Sequence, residues 1–488
     1  MSSPRFLLIF LSLFCWAVTA RPVITKVLDG AAYTIDVAAG SVFVVKGTEL
    51  SNAGFAQADS PNYPTTLNNV SVTFTQAGSN PVQAYMIYTY NLDGVNQLAA
   101  LLPSNTSPGF YNVIVKNGAN TSSPVEVQVV ARKPGIVSAD GTGSGPAQAT
   151  TAGYDLIRFA GPGHVGNYPI RAARQGEDVV LWGTGFGPDF ASDPPNGAGS
   201  GDMRSKAIFK VIIDGIEINP DYAGRSPGIP GLDQINFKIP ATVVPSCAVT
   251  VVVKIDNVYS NRLTLAVARM GETVCPSEAF TAAELLSLSR GETLPRGMFT
   301  INSTRTKSIY DPEGKNYFET VYGMFANVGA NFIAQEATSL RFGQCRTWQT
   351  RGNADDLRLG VLYYSNPMDA GSSLSLGAPL GTVSVNKYPA PRVNEYGDTL
   401  TNNIPVSLMV PGEYRLSGNG GANVGPFQAS LNVPAFDWTN ADDLHLVNRN
   451  QNLPIRWSGN NSGGVIIQGL GVRTVAGDAR VNAKTAIL

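Results

Sequence analysis

Short apolar stretches separated by glycine, proline and asparagine turns recur along most of this chain. Residues 41–46 form a mainly apolar run that Gly47 ends, whereas residues 70–74 alternate apolar and polar positions with a period of two. A continuous run is typical of a buried strand, and alternation is typical of a half-buried one. Many short strands of both kinds predict an all-β chain of tandem immunoglobulin-like β-sandwiches.

Part of this pattern occurs twice at a nearly constant distance. The valine-rich run that ends in Gly47-Thr48 is repeated by one that ends in Gly183-Thr184. Three further positions recur in the same order, namely Gln97 as Gln234, Pro103 as Pro240 and Ser123 as Ser260. The offset is 136 residues (183 − 47) or 137 residues (240 − 103). These matches indicate that one β module has been duplicated.

The pattern divides the chain into three β regions, which we expect at 21–131, 132–267 and 268–488. The third region is a distinct C-terminal β domain and not an obvious copy of the first two. One helix is predicted near 281–290, because Thr281 and Glu284 form a capping box ahead of three leucines, and Gly291 ends it. The loop from Gly185 to Ser205 is interpreted as a connection or a disordered segment, with a functional loop as the alternative.

The N-terminus has the features of a secretory signal peptide at 1–20. Arg5 provides the positive charge, residues 6–14 provide the apolar core, and Val18-Thr19-Ala20 offers small residues at the cleavage site. An uncleaved anchor is the alternative, but the apolar run is too short to cross about 30 Å of hydrocarbon comfortably. The sequence therefore predicts a secreted or cell-surface protein with no membrane span after cleavage.

Composition and charge narrow the classes of partner. Charged residues are 15% of the 488 residues, well below the usual value of about 25%. The formal net charge is −1, so the chain lacks the basic footprint of a nucleic-acid-binding protein. We expect no nucleic-acid partner and no cofactor, and the expected partner is an unidentified extracellular protein or polysaccharide. The neutral balance itself says nothing about small-molecule ligands.

Three cysteines follow the predicted signal peptide. Cys247 and Cys275 flank two predicted strands, so a disulfide between them would join the start of one strand to the end of its neighbour. Such a loop of about 28 residues would stabilise the fold by roughly 3 kcal/mol. Cys345 is left over, either as a free thiol or with an external partner. Three scattered cysteines and two distant histidines do not have zinc-ligand spacing.

Several motifs resemble those of known domain families. Gly40-Ser41, the following strand and Gly47-Thr48-Glu49-Leu50 resemble the immunoglobulin-like TIG/IPT family. The second module and the C-terminal region resemble uncharacterised domains of secreted acidobacterial proteins, through Thr184 to Pro188, Gln234-Ile235-Asn236, Pro411 to Tyr414, Val424 to Phe427 and Arg456 to Gly459. This resemblance implies secretion, tandem β-sandwiches and pairing of Cys247 with Cys275. It implies no catalytic residues.

Candidate catalytic residues are few. Gly224 to Gly228 matches the G-x-S-x-G pattern around Ser226, but Pro227 blocks the helix that a hydrolase elbow requires. The chain has only two histidines, His164 and His445. The pairs Asp355-Asp356 and Asp442-Asp443 and the turn at 311–316 are interpreted as solvated turns, with calcium binding as the alternative. The sequence therefore predicts a chain that is not an enzyme.

Tryptophans supply the candidate ligand contacts. Trp182 lies in an apolar run and is expected in the core. Trp438 and Trp457 lie near asparagines, a mixture that can bind a glycan, but core or rim packing is the favoured interpretation. Among the tyrosines, Tyr88 and Tyr90 share a strand face because the side-chain period is two.

These observations favour a secreted, non-catalytic binding, adhesion or scaffold protein. A carbohydrate-binding protein that uses Trp438 and Trp457 is the alternative, and a hydrolase is less favoured. We expect no metal site.

Overall fold

The computed structural model describes residues 21–488 except 195–200, 278, 306–315, 336–345, 353–366, 391, 405–406, 441–442, 444–447, 449, 460–467, 475–480 and 488. The predicted signal peptide at 1–20 lies outside the described residues. The chain divides into two compact units, Met1–Leu286 and Ser287–Leu488.

The first unit begins with a sandwich of two sheets. Its strands are β1 (Val23–Asp29), β2 (Val37–Ala38), β3 (Val42–Thr48), β4 (Gly54–Gln57), β5 (Val70–Thr75), β6 (Val82–Gln83), β7 (Tyr85–Leu92), β8 (Val95–Leu101), β9 (Gly109–Asn117), β10 (Asn120–Thr121) and β11 (Val125–Val130). One sheet has the order β1-β3-β8-β7-β4 and the other β2-β11-β9-β5-β6, with β10 beside β9. This arrangement is an immunoglobulin-like fold.

The two sheets bury the apolar positions that the sequence pattern marks. Phe43 from one sheet meets Phe74 from the other edge to face, with 5.2 Å between the ring centroids. Val70, Val72 and Phe74 are buried on one face of β5, and the residues between them are partly exposed. Period-two alternation therefore identifies the inner face of this strand, as the sequence predicts.

A second sandwich follows in the same unit. Its strands are β12 (Gly135–Ile136), β13 (Ala149–Thr151), β14 (Leu156–Ile157), β15 (Gly163–Val165), β16 (Tyr168–Arg171), β17 (Ala173–Arg174), β18 (Asp178–Thr184), β19 (Phe209–Ile213), β20 (Ile216–Ile218), β21 (Tyr222–Arg225), β22 (Asp233–Lys238), β23 (Ser246–Ile255), β24 (Val258–Tyr259) and β25 (Leu263–Ala268). The order β17-β25-β23-β19-β20 repeats the order β2-β11-β9-β5-β6 of the first sandwich. The duplication predicted from the sequence is therefore present in the topology.

The repeated residues occupy equivalent places in the two copies. Gly47 and Gly183 each lie opposite the first strand of their module. An added Cβ would come within 1.9 Å and 2.4 Å, respectively, of a backbone oxygen of that strand. Ser260 exchanges hydrogen bonds with Val253, and in the first copy Ser122 does the same with Val115. The structural equivalent of Ser260 is therefore Ser122 and not Ser123. The offset at this point is 138 (260 − 122), the same as between Val115 and Val253 (253 − 115).

The second unit contains strands of a further sandwich and two small sheets. Its strands are β26 (Leu294–Arg305), β27 (Tyr317–Val328), β28 (Arg346–Gly352), β29 (Ser373–Ala378), β30 (Gly381–Asn386), β31 (Glu395–Ile404), β32 (Gly412–Gly418), β33 (Phe427–Val433), β34 (Phe436–Asp437), β35 (Ser458–Gly459), β36 (Gln468–Thr474) and β37 (Val481–Ile487). Helix α1 (Ala282–Ser289) spans the division between the units, and helix α2 (Ala330–Gln335) follows β27. Thr281 and Glu284 cap α1 reciprocally, as the sequence predicts.

The sheets of the second unit repeat the topology of the first two modules. The order β26-β27-β31 corresponds to β1-β3-β8, and the order β30-β29-β32-β33 corresponds to β6-β5-β9-β11. Val321 and Tyr396 from one sheet and Leu374 and Tyr414 from the other lie in one core. The region is therefore a β domain distinct from the first two, as the sequence predicts, although its sandwich strands follow the same sheet order.

One local motif links the first and third sandwiches. Tyr111 donates its hydroxyl hydrogen to the carbonyl oxygen of Ser107, and Tyr414 donates to that of Val410, with oxygen–oxygen distances of 3.0 Å and 2.8 Å. Both tyrosines follow a Pro-Gly pair by two positions. A tyrosine that bonds back to the preceding corner is a hallmark of immunoglobulin-like domains. This shared Pro-Gly-x-Tyr pattern is a sequence signal that the third sandwich has the same kind of fold as the first.

Candidate functional site

The predicted tryptophans lie on a two-stranded ribbon in the second unit. Strand β34 pairs with β35 so that Phe436 lies opposite Gly459. The pairing continues past the strand ends, since the Thr439 amide donates to the Arg456 carbonyl oxygen at 2.9 Å. Between these two points the register places Trp438 directly opposite Trp457. Residues opposite each other in an antiparallel pair project from the same face.

This face of the ribbon is open to solvent. Trp438 is 46% exposed, Trp457 is 39% exposed, and Phe436, two positions before Trp438, is 55% exposed. Because side chains alternate along a strand, Phe436 projects from the face that carries the tryptophans. The exposure of these tryptophans excludes core packing and is compatible with either rim packing or contact with a ligand.

Asn440 holds the end of the ribbon in place. Its side-chain amide donates to the carbonyl oxygen of Pro454 at 2.8 Å, and its side-chain oxygen accepts from the amide of Arg456 at 2.7 Å. The residue is almost completely buried. Asn440 therefore positions the segment that carries Trp457 and does not itself face solvent.

Trp182 occupies a different position from the one expected. It lies on β18 between Leu181 and Gly183, and Val179 and Leu181 are the residues of this strand that enter the core. The alternation of β18 turns Trp182 to the outer face, where it is partly exposed. The core prediction was wrong because it treated a half-buried strand as one buried on both faces.

Cys247 and Cys275 form a disulfide with 5.0 Å between the Cα atoms. The bond joins the start of β23 to the segment that follows β25. Both residues are buried. This is the connection that the sequence predicts, and the cysteines have a structural role in the second sandwich.

The G-x-S-x-G segment is part of the sheet. Gly224 lies within β21, which pairs with β22, and Ser226 donates its backbone amide to the carbonyl oxygen of Leu232. No helix follows this segment. Ser226 is 5% exposed, so its position does not match that of a nucleophile at an open elbow.

Other candidate groups are distributed as follows. His164 lies on the exposed strand β15. Several of the candidate residues lie outside the described part of the chain, namely Cys345, His445, Asp355, Asp356, Asp442 and 311–315. Among the residues that the structure does describe, no group of three His, Cys, Asp or Glu side chains could hold a metal ion. The helices of that same part are all too short or too polar to cross a membrane.

The loop after β18 joins the two sandwiches of the first unit. Asp193 accepts hydrogen bonds from the backbone amide and the hydroxyl of Ser104, at 2.8 Å and 2.7 Å. The Ser104 hydroxyl oxygen also accepts from the amide of Asp189. Asp189 and Ser192 are buried. The described parts of this loop are therefore packed against the first sandwich, and the interpretation as a disordered segment was wrong for them.

A buried ion pair binds two backbone groups at the start of this loop. Arg225 pairs with Asp233, and both side chains are almost completely buried. Arg225 also donates to the carbonyl oxygen of Gly187, and Asp233 accepts from the amide of Phe186. Burial raises the pKa of Asp233 to about 6, against the opposing effect of Arg225. The carboxylate is therefore ionised at neutral pH and can hold both partners.

Comparisons with known proteins give little beyond these observations. No family model matches the chain, and no curated protein matches it. Solved structures with similar folds include a mixed-linkage glucan utilisation protein of Bacteroides ovatus, in complex with a mixed-linkage heptasaccharide, at 12% identity, TM-score 0.24, and coverage of 79% of this chain and 70% of that one. The chicken CNTN1 FN1–FN3 domains have 9% identity, TM-score 0.13, and coverage of 85% and 99%. These scores are too low to carry an argument about a ligand.

Proposed function

We propose that this chain is a secreted, non-catalytic binding protein in which immunoglobulin-like modules present recognition surfaces to an extracellular polysaccharide or protein. The observation that carries the proposal is the exposed pair of tryptophans, Trp438 and Trp457, which face the same side of one ribbon. We also propose the division into domains at 21–131, 132–267 and 268–488.

The geometry of the pair favours a polysaccharide. Exposed aromatic side chains keep apolar area in contact with water, and covering that area is favourable. Trp438 and Trp457 offer ring area side by side, and the apolar faces of sugar rings can stack on such a surface. A protein adhesion role is the other candidate, since tryptophan is also enriched at protein interfaces.

A binding screen tests the ribbon. The wild-type chain and the variants Trp438→Ala and Trp457→Ala are compared on an array of polysaccharides and cell-surface fractions. We expect each substitution to weaken binding about tenfold or more, because about 1.4 kcal/mol of contact free energy corresponds to a factor of ten. Tyr168→Ala removes an aromatic side chain of the first unit that is more exposed than either tryptophan, and it serves as the control.

The outcomes separate the candidate functions. Binding to a polysaccharide that both tryptophan variants lose supports the carbohydrate-binding function. Binding to a surface protein that both variants lose supports adhesion through the same face. Unchanged binding in both variants, on any ligand that the wild type binds, would show that the ribbon is not the recognition surface.

A further inference from the structure

A second aromatic surface lies on the outer face of the first sheet. The registers of this sheet place Lys26 opposite Lys46, Lys46 opposite Gln97, Gln97 opposite Tyr90, and Tyr90 opposite Phe55. Directly paired residues share a face, so these five side chains form one row across β1, β3, β8, β7 and β4. Neighbouring strands lie about 4.8 Å apart, so the row is about 19 Å long. We call it the outer row.

The aromatic end of the outer row combines one exposed ring, Phe55, with two partly exposed rings, Tyr88 and Tyr90. The ring of Phe55 lies 6.2 Å from that of Tyr90 and 6.3 Å from that of Tyr88, measured between centroids. Phe55 is 56% exposed. Gln97 donates its side-chain amide to the Tyr88 hydroxyl, which fixes that ring. Three rings and an amide therefore form a preorganised surface on a rigid sheet.

The basic end of the outer row has an unusual arrangement. Lys26 and Lys46 are direct cross-strand neighbours, a position where like charges destabilise a sheet. The Lys46 ammonium lies 5.1 Å from the centre of the Tyr33 ring. Within the part of the chain that the structure describes, neither lysine forms an ion pair with a carboxylate. The two positive charges are thus available to an anion from outside the protein.

Two loop acids close to Tyr33, Asp29 and Asp140, accept hydrogen bonds within their own turns. Asp29 accepts hydrogen bonds from the amides of Ala31, Ala32 and Thr34 and from the Thr34 hydroxyl. Asp140 accepts from Ser138 and Thr142 in its own loop. These carboxylates act electrostatically on Tyr33, which Lys46 faces, but none of these hydrogen bonds comes from Lys26 or Lys46.

We propose that the outer row binds an acidic polysaccharide, with sugar rings stacked on Phe55 and Tyr90 and a carboxylate or sulfate held by Lys26 and Lys46. An anion between the two lysines offsets their mutual repulsion, which a neutral glycan cannot do. The amide of Gln97, between the two ends, is placed to bond a sugar hydroxyl. This site lies in the first unit and is separate from the tryptophan ribbon of the second unit.

Titration calorimetry with the full secreted chain tests the proposal. The ligands are polygalacturonate, chondroitin sulfate and, as the neutral counterpart, carboxyl-reduced polygalacturonate. We expect the wild type to bind at least one acidic polymer, with affinity that falls as salt is raised, and to bind the neutral polymer much more weakly. The doubly substituted Lys26→Gln, Lys46→Gln chain is expected to bind about tenfold more weakly.

Two further variants make the test specific. Phe55→Ala removes an exposed ring and is expected to weaken binding about fivefold, with the salt dependence unchanged. Lys116→Gln removes an exposed lysine from β9 in the other sheet and is expected to change nothing. Circular dichroism of each variant checks that the fold is retained.

The results that would overturn this proposal differ from the results that would overturn the proposal for the tryptophan ribbon. Failure of the wild type to bind any acidic polymer overturns the proposal, as does equal binding of the neutral polymer. Unchanged affinity in both the double lysine variant and Phe55→Ala also overturns it. A chain with Trp438→Ala and Trp457→Ala keeps the outer row, so its binding of the acidic polymer tests the two sites independently.

Discussion

Single buried carboxylates hold loops in place in this protein. Glu319 is completely buried and accepts hydrogen bonds from the hydroxyls of Ser303 and Ser407 and from the amides of Leu408 and Met409. Burial by itself raises the pKa of Glu319, but these hydrogen bonds together lower it below its ordinary value of 4.5. The charged form is therefore part of the folded state of the second unit.

The lowered pKa of Glu319 predicts an acid-sensitive second unit. The unfolded chain binds this proton more tightly than the folded chain does, so the carboxylate contributes stability above pH 4.5, and that contribution is lost as the pH falls through the lower folded pKa. Glu319→Gln is expected to be less stable at pH 7 and to lose less stability on acidification. Thermal unfolding between pH 7 and pH 3 measures this, with Glu413→Gln, an exposed carboxylate, as the control. Identical pH profiles for wild type and Glu319→Gln would contradict the prediction.

At the scale of elements, the sequence pattern identified the strands and their inner faces well. The apolar alternation of β5 and the capping box of α1 can be recognised in the sequence, because each depends on residues that are close in the chain. The outer position of Trp182 was missed because the run 178–184 has too few polar residues to reveal its period. A strand that lies between neighbours on both sides can have apolar residues on both faces.

The disulfide gives a testable prediction at the same scale. Cys247 and Cys275 are separated by 28 residues, and the bond that joins them reduces the entropy of the unfolded chain. Replacing both by alanine is expected to lower the free energy of unfolding of the first unit by about 3 kcal/mol. Denaturant titration measures the change, and Cys345→Ala is the control. A change below about 1 kcal/mol would show that the loop is already restrained in the unfolded state.

At the scale of the whole molecule, the pairing of the first two sandwiches depends on residues far apart in sequence. Asp193 and Ser104 are separated by 89 positions, and the backbone amide of Val42 donates to the hydroxyl of Thr184 at a separation of 142. The repeat itself gave no sign of these contacts, because each joins a residue of one copy to a residue of the other. The long loop, which only the second copy has, supplies Asp193, whereas Thr184 belongs to the repeated motif.

Removal of one carboxylate is expected to loosen that coupling. Asp193→Ala leaves the amide and hydroxyl of Ser104 without their partner, at a cost of about 1–3 kcal/mol in the stability of the first unit. Small-angle scattering of residues 21–286 should then report a wider range of orientations between the two sandwiches. Asp202→Ala, which breaks an exposed ion pair with Arg204, is the control and should cost less than about 1 kcal/mol. Unchanged scattering and stability in Asp193→Ala would place the coupling elsewhere in the interface.

The sequence by itself determined the all-β character, the duplication, the helix cap and the Cys247–Cys275 pair, because each depends on local periodicity or on a short, repeated spacing. Only the tertiary structure decided that the second unit repeats the same sheet order, that Trp438 lies opposite Trp457, and that two lysines and three rings share one sheet face. These features depend on strand register and on which strands become neighbours. Register is set by packing across the sandwich, so side chains distant in sequence become neighbours only in the folded chain.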